Sequence, residues 1–311
     1  MKIYTILSLL LILACPKASP GSGEKFNPPR LPGATLLIGS ADPFFVVLTA
    51  PTQIQRLLPE PNQPENRNYT SVNPSISRDG KVVAAARLKV GGYPRRVAIA
   101  TYSIVERKWT EYAEGEFAGA VAISPDGSKL AFSSSRPWPE GSGDNHLHII
   151  DLKTGKDTLG PEVPGFWRDT ASWSPDSRRL AYNFNFEVRV WDADTGKVTK
   201  LADGGAVSWS PSGEWIAYFD SPPYERSTTC VIIHPDGSGR KTLFQFPRDG
   251  KFQRFLVDAP VWSPDSKTIV LNELDDVDKG TVDIHLLDVS TLKLKTVFKD
   301  VLPVEGWAEA K

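Results

Sequence analysis

His146 and His148, two histidines with one residue between them, could bind a metal ion through their imidazole nitrogens. On an extended strand, residues i and i+2 point to the same face, so both rings would be available to one ion. A third ligand is not evident, and two polar residues on a half-exposed strand are the alternative interpretation. We therefore expect no metal ion and no other cofactor.

A second group of candidate ligands is the acidic run Asp275, Asp276 and Asp278. Calcium prefers several carboxylate oxygens, which such a run could supply. Neither the spacing nor a glycine hinge fits an EF-hand, so a solvated acidic loop is the favoured interpretation.

Common catalytic signatures are missing from the sequence. It contains no Gly-x-Ser-x-Gly nucleophile elbow and no Walker-type phosphate loop. Its Ser-x-Asp-x-Gly turns are similar to the Asp-box of sialidases, where the motif is also a structural turn. We expect the protein not to be an enzyme.

Charge and cysteine content exclude further classes. The 311 residues carry 36 basic and 37 acidic side chains, and no basic run is longer than two residues. Nucleic-acid binding usually requires a basic excess, so it is not expected. The two cysteines, Cys15 and Cys230, do not form a disulfide framework. Cys230 is expected on a strand, buried and inert.

The N-terminus has the pattern of a targeting segment. Lys2 precedes an apolar run that ends in Ile12-Leu13-Ala14-Cys15, which resembles a bacterial lipobox. We predict a signal peptide at residues 1–14 and lipidation of Cys15, with plain cleavage or an uncleaved anchor as alternatives. Residues 15–33 are predicted to be a flexible tether because they are rich in Pro, Gly and Ser.

One four-residue turn recurs five times in the rest of the chain, at spacings of 47, 50, 36 and 53 residues. The copies are Ser77-Arg78-Asp79-Gly80, Ser124-Pro125-Asp126-Gly127, Ser174-Pro175-Asp176-Ser177, Ser210-Pro211-Ser212-Gly213 and Ser263-Pro264-Asp265-Ser266. Each is followed by a short apolar strand, predicted at residues 82–86, 129–133, 180–184, 215–219 and 268–272. Such periodicity indicates a β-propeller, in which the turn would join strands A and B of each four-stranded blade. The tryptophans before the turns, Trp173, Trp209 and Trp262, are expected in the core between blades.

The number of blades follows from a second type of hairpin, which joins strands C and D. Four clear C–D hairpins are predicted at residues 148–159, 188–201, 231–244 and 284–298, and looser copies at 97–112 and 44–58. The sequence thus contains six C–D hairpins but only five A–B turns. The sixth blade would be divided between the two ends of the chain. The C-terminal A strand around Trp307 should therefore pair with the N-terminal B, C and D strands and close a ring of six blades over residues 34–311.

The Trp-Ser-Pro-Asp turn, the Leu-Ala-Tyr/Phe strand after it and the Asp-x-x-Thr-Gly-Lys hairpin together resemble the WD-like repeats of the TolB propeller family. They are also similar to the propellers of prolyl-oligopeptidase-type enzymes. The resemblance covers residues 34–311 and implies an all-β, six-bladed β-propeller. The α/β domain that precedes the propeller in TolB is not expected here.

Loops on one side of a propeller are expected to carry its function. The A–B and C–D turns are short and stereotyped, whereas the B–C and D–A loops on the opposite face are long and rich in aromatic and arginine residues, which dominate interface hot spots. The predicted partner-binding residues are Tyr93, Arg95, Arg136, Trp138, Trp167, Arg168, Asp169, Tyr224, Arg226, Arg254 and Asp258. Asp169 and Asp258 are expected just before A strands, at the mouth of the channel.

These observations predict an exported, monomeric, non-enzymatic module that binds a protein or peptide of the cell envelope. It would be a periplasmic or outer-membrane-anchored lipoprotein, or a secreted protein, and would touch the membrane only through a lipid anchor. The alternative is a carbohydrate-active enzyme, a polysaccharide lyase or glycosidase acting at the channel mouth. A pair of carboxylates facing each other there would favour this alternative.

Overall fold

The computed structural model describes residues 34–38, 46–49, 53–56, 69–89, 97–115, 118–134, 145–163, 170–220, 229–246, 255–274, 282–301 and 303–309. Within these ranges the chain forms 24 strands. They are β1 (Ala34–Ile38), β2 (Val46–Thr49), β3 (Gln53–Arg56), β4 (Tyr69–Ile76), β5 (Val82–Lys89), β6 (Val97–Ser103), β7 (Lys108–Gly115), β8 (Ala118–Ile123), β9 (Lys129–Ser134), β10 (His146–Asp151), β11 (Asp157–Glu162), β12 (Ala171–Trp173), β13 (Arg179–Phe184), β14 (Glu187–Asp192), β15 (Val198–Asp203), β16 (Gly205–Trp209), β17 (Ile216–Phe219), β18 (Thr229–Ile233), β19 (Lys241–Gln245), β20 (Phe255–Trp262), β21 (Thr268–Leu274), β22 (Val282–Asp288), β23 (Leu294–Val301) and β24 (Val304–Glu309). None of the described segments is a helix of the length and apolarity that crossing a bilayer requires.

Five antiparallel sheets each consist of four consecutive strands. We call them blade 1 (β4–β7), blade 2 (β8–β11), blade 3 (β12–β15), blade 4 (β16–β19) and blade 5 (β20–β23). A further four-stranded sheet is composite, with the order β24-β1-β2-β3. Its C-terminal strand β24 pairs antiparallel with β1, and Leu36 lies opposite Trp307. The two ends of the described chain are therefore joined through main-chain hydrogen bonds.

The first strands of the blades, together with β24, form a closed cycle. β4 contacts β8, β8 contacts β12, β12 contacts β16, β16 contacts β20, β20 contacts β24, and β24 contacts β4. Sheets arranged around an axis with their first strands innermost are the architecture of a β-propeller. The prediction of an all-β propeller is confirmed, with five blades of consecutive strands where six blades were predicted.

The recurring serine turn is a hydrogen-bonding device. The five serines, Ser77, Ser124, Ser174, Ser210 and Ser263, are buried. Each hydroxyl oxygen accepts the backbone N–H of the residue five positions later, at 2.9–3.0 Å. In four of the turns the hydroxyl also donates to the aspartate two residues on. The turn thus closes the A–B hairpin and satisfies a buried polar group.

Neighbouring blades are joined through tryptophans. Trp173, Trp209 and Trp262 are only 4–5% exposed. The indole N–H of Trp173 donates to the carbonyl oxygen of Ala122 in β8 at 3.0 Å, and that of Trp262 to the carbonyl oxygen of Ser208 in β16 at 3.1 Å. The prediction that these residues belong to the core between blades is confirmed for all three.

Some boundaries differ from the prediction. The D–A loop before blade 5, which the sequence predicts at residues 246–260, ends earlier, since β20 begins at Phe255. Similarly, β4 begins at Tyr69 and β5 continues to Lys89, inside segments that the sequence predicts as loops at residues 59–72 and 87–95. These strands extend past an irregularity in the ladder, which interrupts the alternation that sequence patterns detect.

Candidate functional site at the channel mouth

Most of the predicted binding residues lie outside the described residues. These are Tyr93, Arg95, Arg136, Trp138, Trp167, Arg168, Asp169, Tyr224, Arg226 and Arg254, together with Cys15 and the acidic run Asp275, Asp276 and Asp278. Asp258 is described, and its position is corrected: it lies within the inner strand β20 rather than before it.

Bulges shape the inner strands near their first residues. The pairing with the next strand slips between Gly119 and Ala122 in β8, between Gly205 and Ser208 in β16, and between Val257 and Val261 in β20. A β-bulge inserts an unpaired residue and redirects its side chain. Asp258 occupies such a bulge with a φ of 59°, a conformation that a non-glycine residue seldom adopts.

The strand β24 carries the same irregularity. Its register against β1 shifts between Val304, opposite Ile38, and Gly306, opposite Leu37, so Glu305 is the extra residue. At comparable bulges β8 and β16 have alanines, Ala120 and Ala206, also with positive φ. The two adjoining inner strands β20 and β24 therefore place acidic residues where two other blades have methyl groups.

Asp258 and Glu305 interact electrostatically. Asp258 is exposed, whereas Glu305 keeps only part of its surface accessible. Burial of its carboxyl group, and secondarily the negative charge of Asp258, raise the pKa of Glu305 well above its ordinary value. Glu305 therefore keeps its proton to a higher pH than an ordinary glutamate does, beside a second carboxyl group.

The backbone next to Glu305 is fixed by a buried side chain. Asn272 of β21, which is 1% exposed, donates from Nδ2 to the carbonyl oxygen of Val304 at 2.9 Å. Its Oδ1 accepts the backbone N–H of Val304 at 3.0 Å. Two hydrogen bonds to one residue hold the start of β24, and with it Glu305, in a defined position.

The chain direction gives the end of the channel at which these acids lie. Inner strands run from the D–A loops toward the A–B turns, and both bulges occur in the first half of their strands. Asp258 and Glu305 are therefore on the side of the long B–C and D–A loops, where function was predicted.

The histidines are occupied by structural contacts. His146 contacts the carbonyl oxygen of Gly160 through Nδ1 at 3.1 Å, and His148 contacts Asp157 through Nδ1 at 2.9 Å while stacking on Phe132. The pair therefore binds separate partners within blade 2. In the described part of the chain, no group of three or more His, Cys, Asp and Glu side chains is arranged to hold a metal ion.

A buried chain of polar groups crosses blade 5. His285 Nε2 lies 2.6 Å from Glu273 Oε2, and its Nδ1 lies 3.0 Å from Thr296 Oγ1. Glu273 and His285 are nearly inaccessible, at 1% and 3% exposed, and His285 also contacts the ring of Phe246. The chain satisfies the buried polar atoms and links β21, β22 and β23.

Glu305 is the candidate site residue that the sequence did not reveal. It follows Val304 in a short terminal strand, and nothing in the repeat pattern marks a bulge there. One usable signal was present: a charged residue between Val304 and Gly306, in a strand whose position implied burial.

Neither a protein-family model nor a curated protein matches the sequence. Solved structures do match its fold. TolB from Acinetobacter baumannii superposes with a TM-score of 0.65 at 17% identity, over 88% of this chain and 66% of that chain, so this chain spans just under two thirds of its length. A TolB-type protein from Agrobacterium tumefaciens matches with a TM-score of 0.59 at 18% identity, over 82% and 88% of the two chains. Oligogalacturonate lyase from Vibrio parahaemolyticus matches with a TM-score of 0.54 at 10% identity, over 83% and 75%.

At these identities the comparisons establish the fold and leave the activity open, since one propeller scaffold hosts unrelated functions. The protein is an all-β propeller with a fold similar to that of TolB.

Proposed function

We propose that this protein is an exported, non-enzymatic binding module, which holds a protein or peptide of the cell envelope on the face of its long B–C and D–A loops. The composite sheet β24-β1-β2-β3 acts in this proposal as the sixth blade, which completes a rigid ring beneath those loops. A rigid scaffold with variable loops on one face suits a binding protein.

The observation that carries the proposal is the exposed acidic residue Asp258, which lies in the inner strand β20 on the loop side of the channel. Asp258 is exposed, and Glu305 adjoins it with its backbone held by Asn272. A basic side chain or a terminal amine of the partner would form an ion pair with the carboxylate of Asp258. The aromatic and arginine residues predicted on the loops would supply the surrounding contact area.

Export is part of the same proposal. The apolar run that precedes Cys15 supports a signal peptide, and lipidation of Cys15 would tether the propeller to a membrane through residues 15–33. The protein would then act as a monomer in the periplasm, without a cofactor.

A pull-down from envelope extract tests the binding proposal, with the full chain as bait. The matched variants carry Trp138→Ala, Trp167→Ala and Tyr224→Ala on the predicted loop face, or Val105→Ala and Leu292→Ala at exposed turn positions. We expect a specific protein to be retained by the parent chain and by the turn variant, and to be lost by the loop variant. Equal retention by both variants would refute the loop face as the binding surface.

A second candidate function is favoured by the raised pKa of Glu305. A protonated carboxylic acid beside another carboxyl group is the arrangement that general acid–base catalysis of glycosidic bond cleavage uses. A carbohydrate-active enzyme would bind its polysaccharide in the channel mouth, where Glu305 would protonate the leaving oxygen. In a hydrolase, Asp258 would take a proton from the water that attacks the anomeric carbon; in a lyase, it would take the proton from the carbon beside the uronate carboxyl group, which leaves a double bond in the product.

Reducing-end release and the absorbance of unsaturated products, measured on a panel of neutral and acidic polysaccharides, test this alternative. An enzyme would show turnover that Glu305→Gln abolishes and that Glu106→Gln, at an exposed turn position, leaves unchanged. Binding without turnover, lost in the loop variant, would favour the binding module.

A further inference from the structure

The two turns of blade 4 both depart from the pattern of the repeat. In the A–B turn, Ser212 replaces the aspartate of the other four turns, and Gly213 and Glu214 follow it. The Ser210 hydroxyl consequently contacts Ser212 Oγ, at 3.1 Å, instead of a carboxylate. The carboxylate next in the chain, Glu214, is exposed.

The C–D turn of blade 4 departs more strongly. In blades 2, 3 and 5 an aspartate accepts both the backbone N–H and the hydroxyl of a threonine three residues later; these are the pairs Asp151–Thr154, Asp192–Thr195 and Asp288–Thr291. His234 replaces that aspartate in blade 4. The carboxylate moves to Asp236, whose Oδ1 accepts the backbone N–H and the hydroxyl of Ser238.

His234 is held in one orientation. Its ring stacks on Trp215 with 3.8 Å between centroids, and its Nδ1 lies 2.9 Å from the carbonyl oxygen of Glu214. Because a carbonyl oxygen only accepts hydrogen bonds, Nδ1 carries the proton. The two irregular turns are thereby fixed against each other.

A cation from blade 3 completes this arrangement. Lys129 of blade 2 and Arg179 of blade 3 occupy equivalent positions, and each lies over the tryptophan of the next blade. Lys129 Nζ donates to the carbonyl oxygen of Ser177 at 2.9 Å. Within the described ranges, the guanidinium of Arg179 makes no hydrogen bond or ion pair, and its charge acts only through space on Asp176. Arginine donors held over an aromatic ring are preorganised for a carboxylate.

These groups line one open cavity of about 560 Å³. Its walls include Arg179, Gly213, Glu214, His234, Asp236 and Ser238. Gly213, with a φ of +80°, offers no side chain at the position where the preceding turn has Ser177. The cavity therefore combines unpaired arginine donors with two carboxylates, on the face opposite the long loops.

We propose that this cavity binds a small zwitterion that carries a carboxylate and an ammonium group, as free amino acids and short peptides do. The carboxylate lies on Arg179, and the ammonium lies between Asp236 and Glu214. This binding site is independent of the function proposed for the loop face, because it is formed by turns at the other end of the channel.

Nuclear magnetic resonance titration of the full chain tests the proposal. The probes are L-alanine, glycylglycine, N-acetylglycylglycine without its ammonium, and glycylglycinamide without its carboxylate. We expect L-alanine or glycylglycine to shift resonances of the two blade 4 turns, and the blocked peptides to bind about tenfold more weakly or worse. Binding of L-alanine points to free amino acids, and binding of glycylglycine alone points to peptides.

Adjacent arginines provide the matched control. Arg179→Ala should weaken binding about tenfold, like removal of the ligand carboxylate. Arg178→Ala should leave affinity unchanged, because Arg178 is exposed and paired with Asp194 at 2.7 Å. Asp236→Asn keeps an oxygen that accepts the hydrogen bonds from Ser238 but removes the negative charge. It should therefore weaken binding as much as removal of the ligand ammonium does. Equal affinity for all probes, equal effects of the two arginine variants, or no shift with either zwitterion would overturn the proposal.

Discussion

Asn272 and Val304 are joined by a reciprocal pair of hydrogen bonds, of 2.9 and 3.0 Å, between a side-chain amide and a backbone amide and carbonyl. The side chain of Asn272 binds the backbone of Val304 from the neighbouring blade, while Val304 lies opposite Ile38 of β1 within its own sheet. Both residues are buried, with Val304 at 0% exposure. The pair therefore stabilises the junction of blade 5 with the composite sheet and positions Glu305.

Asn272→Ala should destabilise the protein. The substitution removes the side-chain partner of a buried N–H and of a buried carbonyl group, which costs about 1–3 kcal/mol for each group. Urea unfolding should show a free energy of unfolding lower by about 2–6 kcal/mol. Asn183→Ala is the comparison, since Asn183 accepts from Thr170 at a more accessible position and should cost less. An equal or smaller cost for Asn272→Ala would contradict this role.

Glu305 should make stability depend on pH. Its pKa is raised in the folded protein, so the unfolded chain releases this proton first, near pH 4.5, and the contribution of Glu305 to folding is lost as pH rises further. Glu305→Gln removes this effect. The free energy of unfolding of this variant, relative to that of the parent protein, should rise with pH above about 4.5, by at most about 1.4 kcal/mol per pH unit.

Two variants control that pH dependence. Asp258→Asn removes the neighbouring charge, so the pKa of Glu305 falls and the rise should end at a lower pH. Glu106→Gln alters an exposed carboxylate and should follow the parent curve. Parallel curves for the parent and Glu305→Gln would show that Glu305 titrates normally.

Asp288 should contribute stability in the opposite sense. Hydrogen bonds from the backbone and hydroxyl of Thr291 and from Ser290 lower its pKa from 3.8 to about 2. Its contribution is therefore present above pH 3.8 and is lost as pH falls toward about 2. Thermal unfolding should show Asp288→Ala melting below the parent at neutral pH, with the difference narrowing in acid. A constant difference across this window would contradict the assignment.

Cys230 should be chemically inert in the folded protein. It lies in β18 at 0% exposure, as the sequence predicted, and burial raises the pKa of its thiol to about 12. Since the thiolate is the nucleophile, iodoacetamide at pH 8 should leave the Cys230 peptide unmodified until denaturant is added. Peptide mass mapping separates Cys230 from Cys15, and rapid modification without denaturant would show that this blade opens.

The repeat made the scaffold predictable. A Ser-Pro-Asp turn before an apolar strand is a local device, and its five copies marked β5, β9, β13, β17 and β21 to within a few residues. Trp173 and Trp262 could be assigned to the core because an aromatic residue that recurs on an inner strand is expected to pack against a neighbouring blade, which here is the preceding one.

The candidate site was less predictable, because it depends on departures from regularity. Asp258 was singled out by sequence, but its bulge and its neighbour Glu305 depend on how β20 and β24 slip against their partners. The alternation of side chains along a strand does not show where its register shifts against the neighbouring strand. Similarly, only the fold brings the turn that contains His234 to the same cavity as Arg179.

The central claim, that the loop face holds a protein partner around Asp258 and Glu305, is tested most directly by site-specific photo-crosslinking in intact cells. A photoreactive amino acid is placed at Asp258 on the loop side or at Tyr224, which the sequence predicts for the same side. It is also placed at Val105 or Leu292, which are 73% and 41% exposed in turns of the opposite face. We predict the same crosslinked partner from both loop-side positions and none from the turn positions. A partner crosslinked only from the turn positions, or no protein crosslinked from any of the four, would contradict the account.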